Sequence, residues 1–171
     1  MRRAMRAEAL KLCTLPGIWL AGLLALAVPM LLAWLASSQP MRAVETGQLG
    51  ALYDTSTTDS GFTALTVAQV GFVVLGVLSV SSEYVRNAQA VGRGRQLTTS
   101  MVATPGGARR MVAKLTVLLG LATVLAVAAT AGTLAVARWA LGGVEATWGN
   151  PWPRVAGAVF FLVTVTVIAA A

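Results

Sequence analysis

An all-α, polytopic membrane protein with about four transmembrane helices is the fold class this sequence predicts, and three observations predict it. The chain is 57% hydrophobic and only 11% charged, where soluble domains carry about 25% charged residues. Its apolar residues come in blocks, not at the spacing of a half-buried helix or strand. Four of those blocks, 17–36, 61–80, 115–137 and 155–171, contain no charged residue. At about 1.5 Å per residue the first three cross a hydrocarbon core of about 30 Å, and the last reaches about 25 Å.

The same composition excludes much chemistry. With no His, one Cys and six acids in the chain, imidazole catalysis and most metal sites fall away. Cys13 alone forms no intramolecular disulfide. A pI near 11.1 raises nucleic acid as a partner for a soluble protein. Here the basic residues flank apolar runs without aromatic interleaving, so they read as topology-setting charge and no nucleic-acid partner is expected.

Residues 1–16 are an N-terminal basic segment with Arg2, Arg3, Arg6 and Lys11 against Glu8. On a helical wheel Met1, Met5 and Leu12 share a side opposite the arginines. The segment is either a short amphipathic helix in the headgroup region or a plain basic flank. The first span, 17–36, has Trp19 and Trp34 near its ends, at the depth where indoles prefer to sit. Pro29 inside it is a candidate kink. A basic start, an apolar run and Ala36-Ser37-Ser38 also resemble a cleavable signal. The run exceeds a signal core of about 7–15 residues and three more follow, which favours a retained span.

A polar loop, 37–60, carries Glu45, Asp54 and Asp59 against Arg42. The second span, 61–80, has Gln69 near mid-depth, suited to interhelical hydrogen bonding or to substrate contact. Gly71 and Gly76 in this span allow a neighbouring helix to come close. The segment 81–114 follows, with Arg86, Arg93, Arg95, Arg109, Arg110 and Lys114 against the single acid Glu83. So polar a stretch cannot lie in hydrocarbon and is expected to project into water. Within it, Gln96 to Ala103 suits two helical turns with Leu97 and Met101 on one side, stopped at Pro105 and bent at Gly106 and Gly107. Such a helix fits a groove on a cytoplasmic partner, or else lies on the headgroups.

The third span, 115–137, is small-sided, and Ala122/Ala126 and Ala128/Gly132 have the spacing of close helix packing in lipid. A loop, 138–154, holds Trp139, Trp148 and Trp152 and reads as an interfacial belt. The last run, 155–171, is apolar to its end, so the sequence is expected to be a fragment or a truncated product. Ten of the thirteen Lys and Arg residues fall in 1–16 and 81–114. That asymmetry predicts a cytoplasmic N-terminus and a cytoplasmic 81–114 segment in a multi-pass protein of the plasma membrane.

No span contains an acid, Lys or Arg, so proton antiport is disfavoured. No nucleophile is paired with a base for intramembrane hydrolysis. The stretch from Gly92 to Leu97 lacks the third glycine of a dinucleotide fingerprint, and the stretch from Ala103 to Gly107 lacks the Lys-Ser/Thr of a phosphate-cradling loop. The chain is therefore expected to be no enzyme and to bind no cofactor or metal, with any ATP hydrolysed on a separate subunit.

The residues also carry a resemblance. Glu8, Ala9, Leu10 and Lys11, then Leu15 and Trp19, resemble the Glu-Ala-Leu-Lys-like stretch before the first span of membrane-spanning permease subunits of type-2 ATP-binding-cassette (ABC) exporters, especially actinobacterial ones. Glu83-Tyr84 matches the end of their second span. Thr98-Thr99, Ala103-Thr104-Pro105, Arg109-Arg110 and Ala113-Lys114 match the segment that leads into the third. An extra stretch, roughly Val85 to Gly92, and Gly106-Gly107-Ala108 after the proline depart from the pattern. The resemblance implies a six-helix permease, here truncated. It implies a second permease copy, as a homodimer or heterodimer, and a cytoplasmic ATPase subunit as partners. It implies coupling residues Glu83, Tyr84, Arg95, Leu97, Thr98, Thr99, Met101, Pro105, Arg109 and Arg110. Gln69 and Ser79 are the candidates for a substrate path. The alternative is a non-transporting membrane protein, of immunity or scaffold type, that binds a cytoplasmic partner through the same segment.

Overall fold

Backbone amides in an apolar run have no water to bond, and a helix satisfies them locally. The computed structural model describes residues 2–45, 57–90, 107–141 and 150–170. They form α1 (Arg2–Thr14), α2 (Pro16–Glu45), α3 (Thr57–Ala90), α4 (Gly107–Ala140) and α5 (Trp152–Ala170). Four of these contain stretches long and apolar enough to cross a membrane: Pro16–Ser38, Asp59–Ser81, Met111–Ala140 and Trp152–Ala170. Each overlaps one of the uncharged runs, so the fold is all-α with four candidate spans, as predicted.

The helices outrun the apolar runs. α3 has 34 residues and is about 51 Å long, well beyond a core of about 30 Å. Ser81–Ala90 continues α3, and Gly107–Lys114 opens α4. The expected 81–114 loop is therefore helical at both ends. The physical reason lies in composition. The sequence from Glu83 to Ala90 has no Gly or Pro, and Ala108 to Lys114 is rich in Ala, Arg, Met and Lys, all good helix formers. Hydropathy marks where water begins, not where a helix ends. Likewise α2 runs through Pro40 to Glu45, inside the expected 37–60 loop, and α4 runs to Ala140 and α5 starts at Trp152, inside the expected 138–154 loop. Gly107, expected in the bend, is the first residue of α4.

α3 and α4 form the centre. α2 packs against both from one side and α5 against both from the other. The buried face is built from small residues: Ala21, Ala25 and Ala33 of α2, Ala64 and Ala68 of α3, and Ala122, Ala126, Ala129 and Ala137 of α4. Large residues such as Leu20, Leu23, Leu31, Val70 and Phe160 point outward. This inversion follows from the solvent. Lipid tails are as apolar as Leu, so helices gain most by bringing small faces into close van der Waals contact. Phe72 and Leu75 of α3, Leu118 of α4 and Leu162 of α5 fill the remaining interior.

Of the two small-residue pairs in the third span, Ala122/Ala126 lies in the packed seam. Ala128 is exposed, and Gly132 is half-buried beneath the Met30 side chain. The seam instead continues through Ala129, Thr130, Thr133 and Ala137. Spacing alone cannot choose between two small stripes on one Ala-rich helix.

Two glycines of α3 set how near its neighbours come. A Cβ on Gly71 would lie 2.7 Å from Ala25 Cα and 2.8 Å from Ala25 N. A Cβ on Gly76 would lie 2.5 Å from the Thr166 carbonyl oxygen of α5. Both positions therefore need hydrogen in place of a side chain. Ala25 has a second distinction, because Pro29, four residues on in α2, has no N–H to give its carbonyl.

Buried hydroxyls are satisfied within their own helices. Thr130 donates to Ala126 O at 2.8 Å, Thr133 to Ala129 O at 2.6 Å, and Thr166 to Leu162 O at 2.9 Å. Ser37 Oγ is fully buried and has no partner among the described residues. An unmet buried polar group costs about 1–3 kcal/mol. Ser37→Ala is therefore expected to raise the thermal unfolding midpoint in detergent, and a lower midpoint would reveal a partner for this hydroxyl.

Candidate functional site

Among the described residues, most of the Lys and Arg residues lie on α1, the end of α3 and the start of α4. α1, the start of α2 and residues of α3 and α4 just inside their spans pack together there. Leu12, Ile18, Ala21, Leu75 and Leu118 form one buried cluster, with Leu15, Leu78, Val117, Leu121 and Ala170 against it. The chain turns from α1 into α2 at Leu15, and Pro16 opens α2 where a missing N–H costs nothing. Trp19 Nε1 donates to the Cys13 carbonyl at 2.7 Å, so the indole covers a carbonyl that the end of α1 leaves unpaired. α1 itself packs on α4 as well as α2. Its Leu12 is buried, Met5 and Ala9 are half-buried, and Arg6 is exposed. The segment is helical and is seated through Leu12 against the bundle, while Leu10 is exposed.

The predicted coupling residues divide between this end and the chain beyond it. Glu83 and Tyr84 lie on the C-terminal extension of α3, and Arg109 and Arg110 on the first turn of α4. The structure describes the backbone at these four positions and not their side chains. Arg95, Leu97, Thr98, Thr99, Met101 and Pro105, with the proposed helix over 96–103, lie outside the described residues. What the fold does bring together is α1 with α4, the helix that this segment leads into. An arginine pair in the first turn gains nothing from the helix dipole, which favours anions there. The dipole therefore does not account for Arg109 and Arg110 at this position.

The two substrate-path candidates are not brought together. Gln69 is exposed on the outer side of α3. Ser79 is buried and donates to the Gly76 carbonyl at 2.7 Å, directly where α3 meets α5. Interior polar atoms among the described residues, Ser37 Oγ excepted, bond within their own helices, and the bundle interior is filled by Ala, Phe72, Leu75 and Leu162. A path for a polar solute through the middle of this bundle is not formed by the described residues.

One feature at the opposite end was not singled out from the sequence. Asp59 at the start of α3 and Arg154 at the start of α5 form an ion pair, Arg154 Nη1 donating to Asp59 Oδ1 at 2.7 Å. Below it α3 and α5 diverge to leave an open groove of about 470 Å³, lined by Phe62, Leu65 and Thr66 on α3 and Gly157, Phe161 and Leu162 on α5. The only signal in the sequence was that each of these opposite charges immediately precedes an apolar run. No group of three or more metal-ligating side chains occurs among the described residues.

A comparison with protein-family models, with curated proteins and with solved structures finds no match to this chain.

Proposed function

We propose that this chain is the membrane-spanning permease subunit of an ABC exporter of the plasma membrane, acting with a second permease copy and with a separate cytoplasmic ATPase that hydrolyses ATP. The observation that carries the reading is the seating of α1 on α4 at the end of the bundle that leads into 81–114, together with the ten of thirteen Lys and Arg residues that the sequence puts in 1–16 and 81–114. The positive-inside rule places that end in the cytoplasm. An ATPase gripping the segment between α3 and α4 pulls on two helices that run on into the membrane as continuous rods. Because α1 is seated on α4, the same pull reaches the N-terminal helix. Such a motor transmits force only if it binds the two states of the permease with different affinity. The filled interior fits a substrate path at the boundary with the second copy, and Gln69 faces outward to such a boundary.

The filled interior equally favours a second reading, a non-transporting immunity or scaffold protein that uses the basic end to hold a cytoplasmic partner. One experiment tests both. Native membranes are solubilised and the tagged chain is pulled down with its soluble partner. For the wild type an ABC ATPase is expected in the eluate. For the triple variant Leu97→Asp, Arg109→Glu, Arg110→Glu it is expected to drop to background, with membrane insertion unchanged. Full retention by the triple variant would sink the docking role. A wild-type eluate containing a different soluble protein and no ATPase would select the second reading.

A further inference from the structure

The groove between α3 and α5 has a form that the lipid around it matches. Trp152, highly exposed at the start of α5, belongs at the headgroup level where indoles concentrate. Arg154, two residues on, shares that level. From Arg154 to Leu162 the groove follows α5 for eight residues, about 12 Å of helix. That is close to the depth of one leaflet, about 15 Å or half of the hydrocarbon core. Its walls below the ion pair are Phe62, Leu65, Phe161 and Leu162, with Gly157 as an open floor. A volume of about 470 Å³ falls within the range of small-molecule sites, about 300–1,000 Å³. At the mouth stand one anion and one cation, with side chains 63% and 57% exposed. So exposed an ion pair contributes little to stability and opens readily to a ligand that replaces both partners.

We propose that this groove retains one zwitterionic phospholipid of the surrounding bilayer, with an acyl chain between Phe62 and Phe161 and the head group across Asp59 and Arg154. The lipid phosphate replaces Asp59 as the partner of Arg154, a charge-assisted contact that guanidinium geometry favours. The lipid ammonium replaces Arg154 as the partner of Asp59. An anionic phospholipid offers the first contact without the second and leaves Asp59 facing a like charge. The groove therefore selects for zwitterionic over anionic head groups. The inference rests on the four-span membrane reading and not on transport.

Gly157 makes the test clean. A Cβ there meets nothing within 4 Å and Gly157 lines the groove, so Gly157→Leu is expected to narrow the groove with little disturbance of the packing. The full chain is reconstituted in vesicles of equal parts phosphatidylethanolamine and phosphatidylglycerol, extracted in mild detergent and weighed by native mass spectrometry. One retained phosphatidylethanolamine per chain is expected for the wild type, with about a tenfold lower retention constant in Gly157→Leu and an unchanged unfolding midpoint. Asp59→Asn keeps the groove but is expected to lose the preference over phosphatidylglycerol, which supplies a second readout should Gly157→Leu fail to fold. Equal retention of both lipids by the wild type would overturn the proposal. So would wild-type retention in Gly157→Leu, or a wild-type dimer that this substitution dissociates, which would make a second copy the occupant.

Discussion

Gly71→Val is expected to leave little folded protein. Its Cβ would sit 2.7 Å from Ala25 Cα and 2.8 Å from both Ala25 N and Ala25 Cβ. These are atoms of a helix backbone and cannot rotate aside as the tip of a side chain can. Relief requires α2 to move off α3, and α2 with α3 is the most extensive helix pair in the bundle. Overpacking typically costs about 1–3 kcal/mol when side chains can yield, and more when they cannot. Total stability is usually about 5–15 kcal/mol. Gly71→Ala already places the offending carbon and is expected to lower the unfolding midpoint, with valine worse. Gly120→Ala is the matched control, because a Cβ there meets nothing within 4 Å. It is expected to be neutral or to gain up to about 1 kcal/mol from helix propensity. A wild-type midpoint for Gly71→Val, measured by thermal unfolding and gel filtration in detergent, would mean that α2 and α3 do not meet at this glycine.

The second large effect is all-or-none. Cys13 is the single cysteine of the chain and is exposed where α1 gives way to α2. If the basic end faces the cytoplasm, a membrane-impermeant maleimide added to intact cells leaves Cys13 unlabelled and labels it in inverted vesicles. In a Cys13→Ser background, Ala90→Cys at the end of α3 is expected to behave as Cys13 does, and Thr55→Cys to show the reverse. The expectation rests on ten Lys and Arg residues in 1–16 and 81–114 against three in the rest of the sequence, a bias that governs insertion through short flanking segments. Labelling of Ala90→Cys from outside intact cells would remove the proposed ATPase from reach of the segment it is meant to grip.

The spans were legible because a charge-free run of about 20 residues has few other uses. Gly71 and Gly76 were legible as close approaches too, since a glycine within a span leaves room for a neighbouring helix. The ends of the helices were not. Val85 to Ala90 and Ala108 to Lys114 are polar enough to read as loop, yet their residues favour helix once a span has nucleated it. The packed stripe of α4 was not legible either, because Ala128/Gly132 and Ala129/Thr133 satisfy the same spacing and only the position of α2 and α3 distinguishes them. The groove was least visible of all. Asp59 and Arg154 are 95 residues apart, and nothing local in the sequence says that the two span entries stand side by side.

Ala25 is where α2 is held against Gly71, and it is also where that helix has lost a strut, since Pro29 cannot bond its carbonyl. A rod pinned and weakened at one spot turns about that spot. Any displacement of the α1 end of α2 is therefore expected to tilt the half beyond Pro29, with Ala25 as the fulcrum and the stretch from Arg2 to Thr14 as the handle.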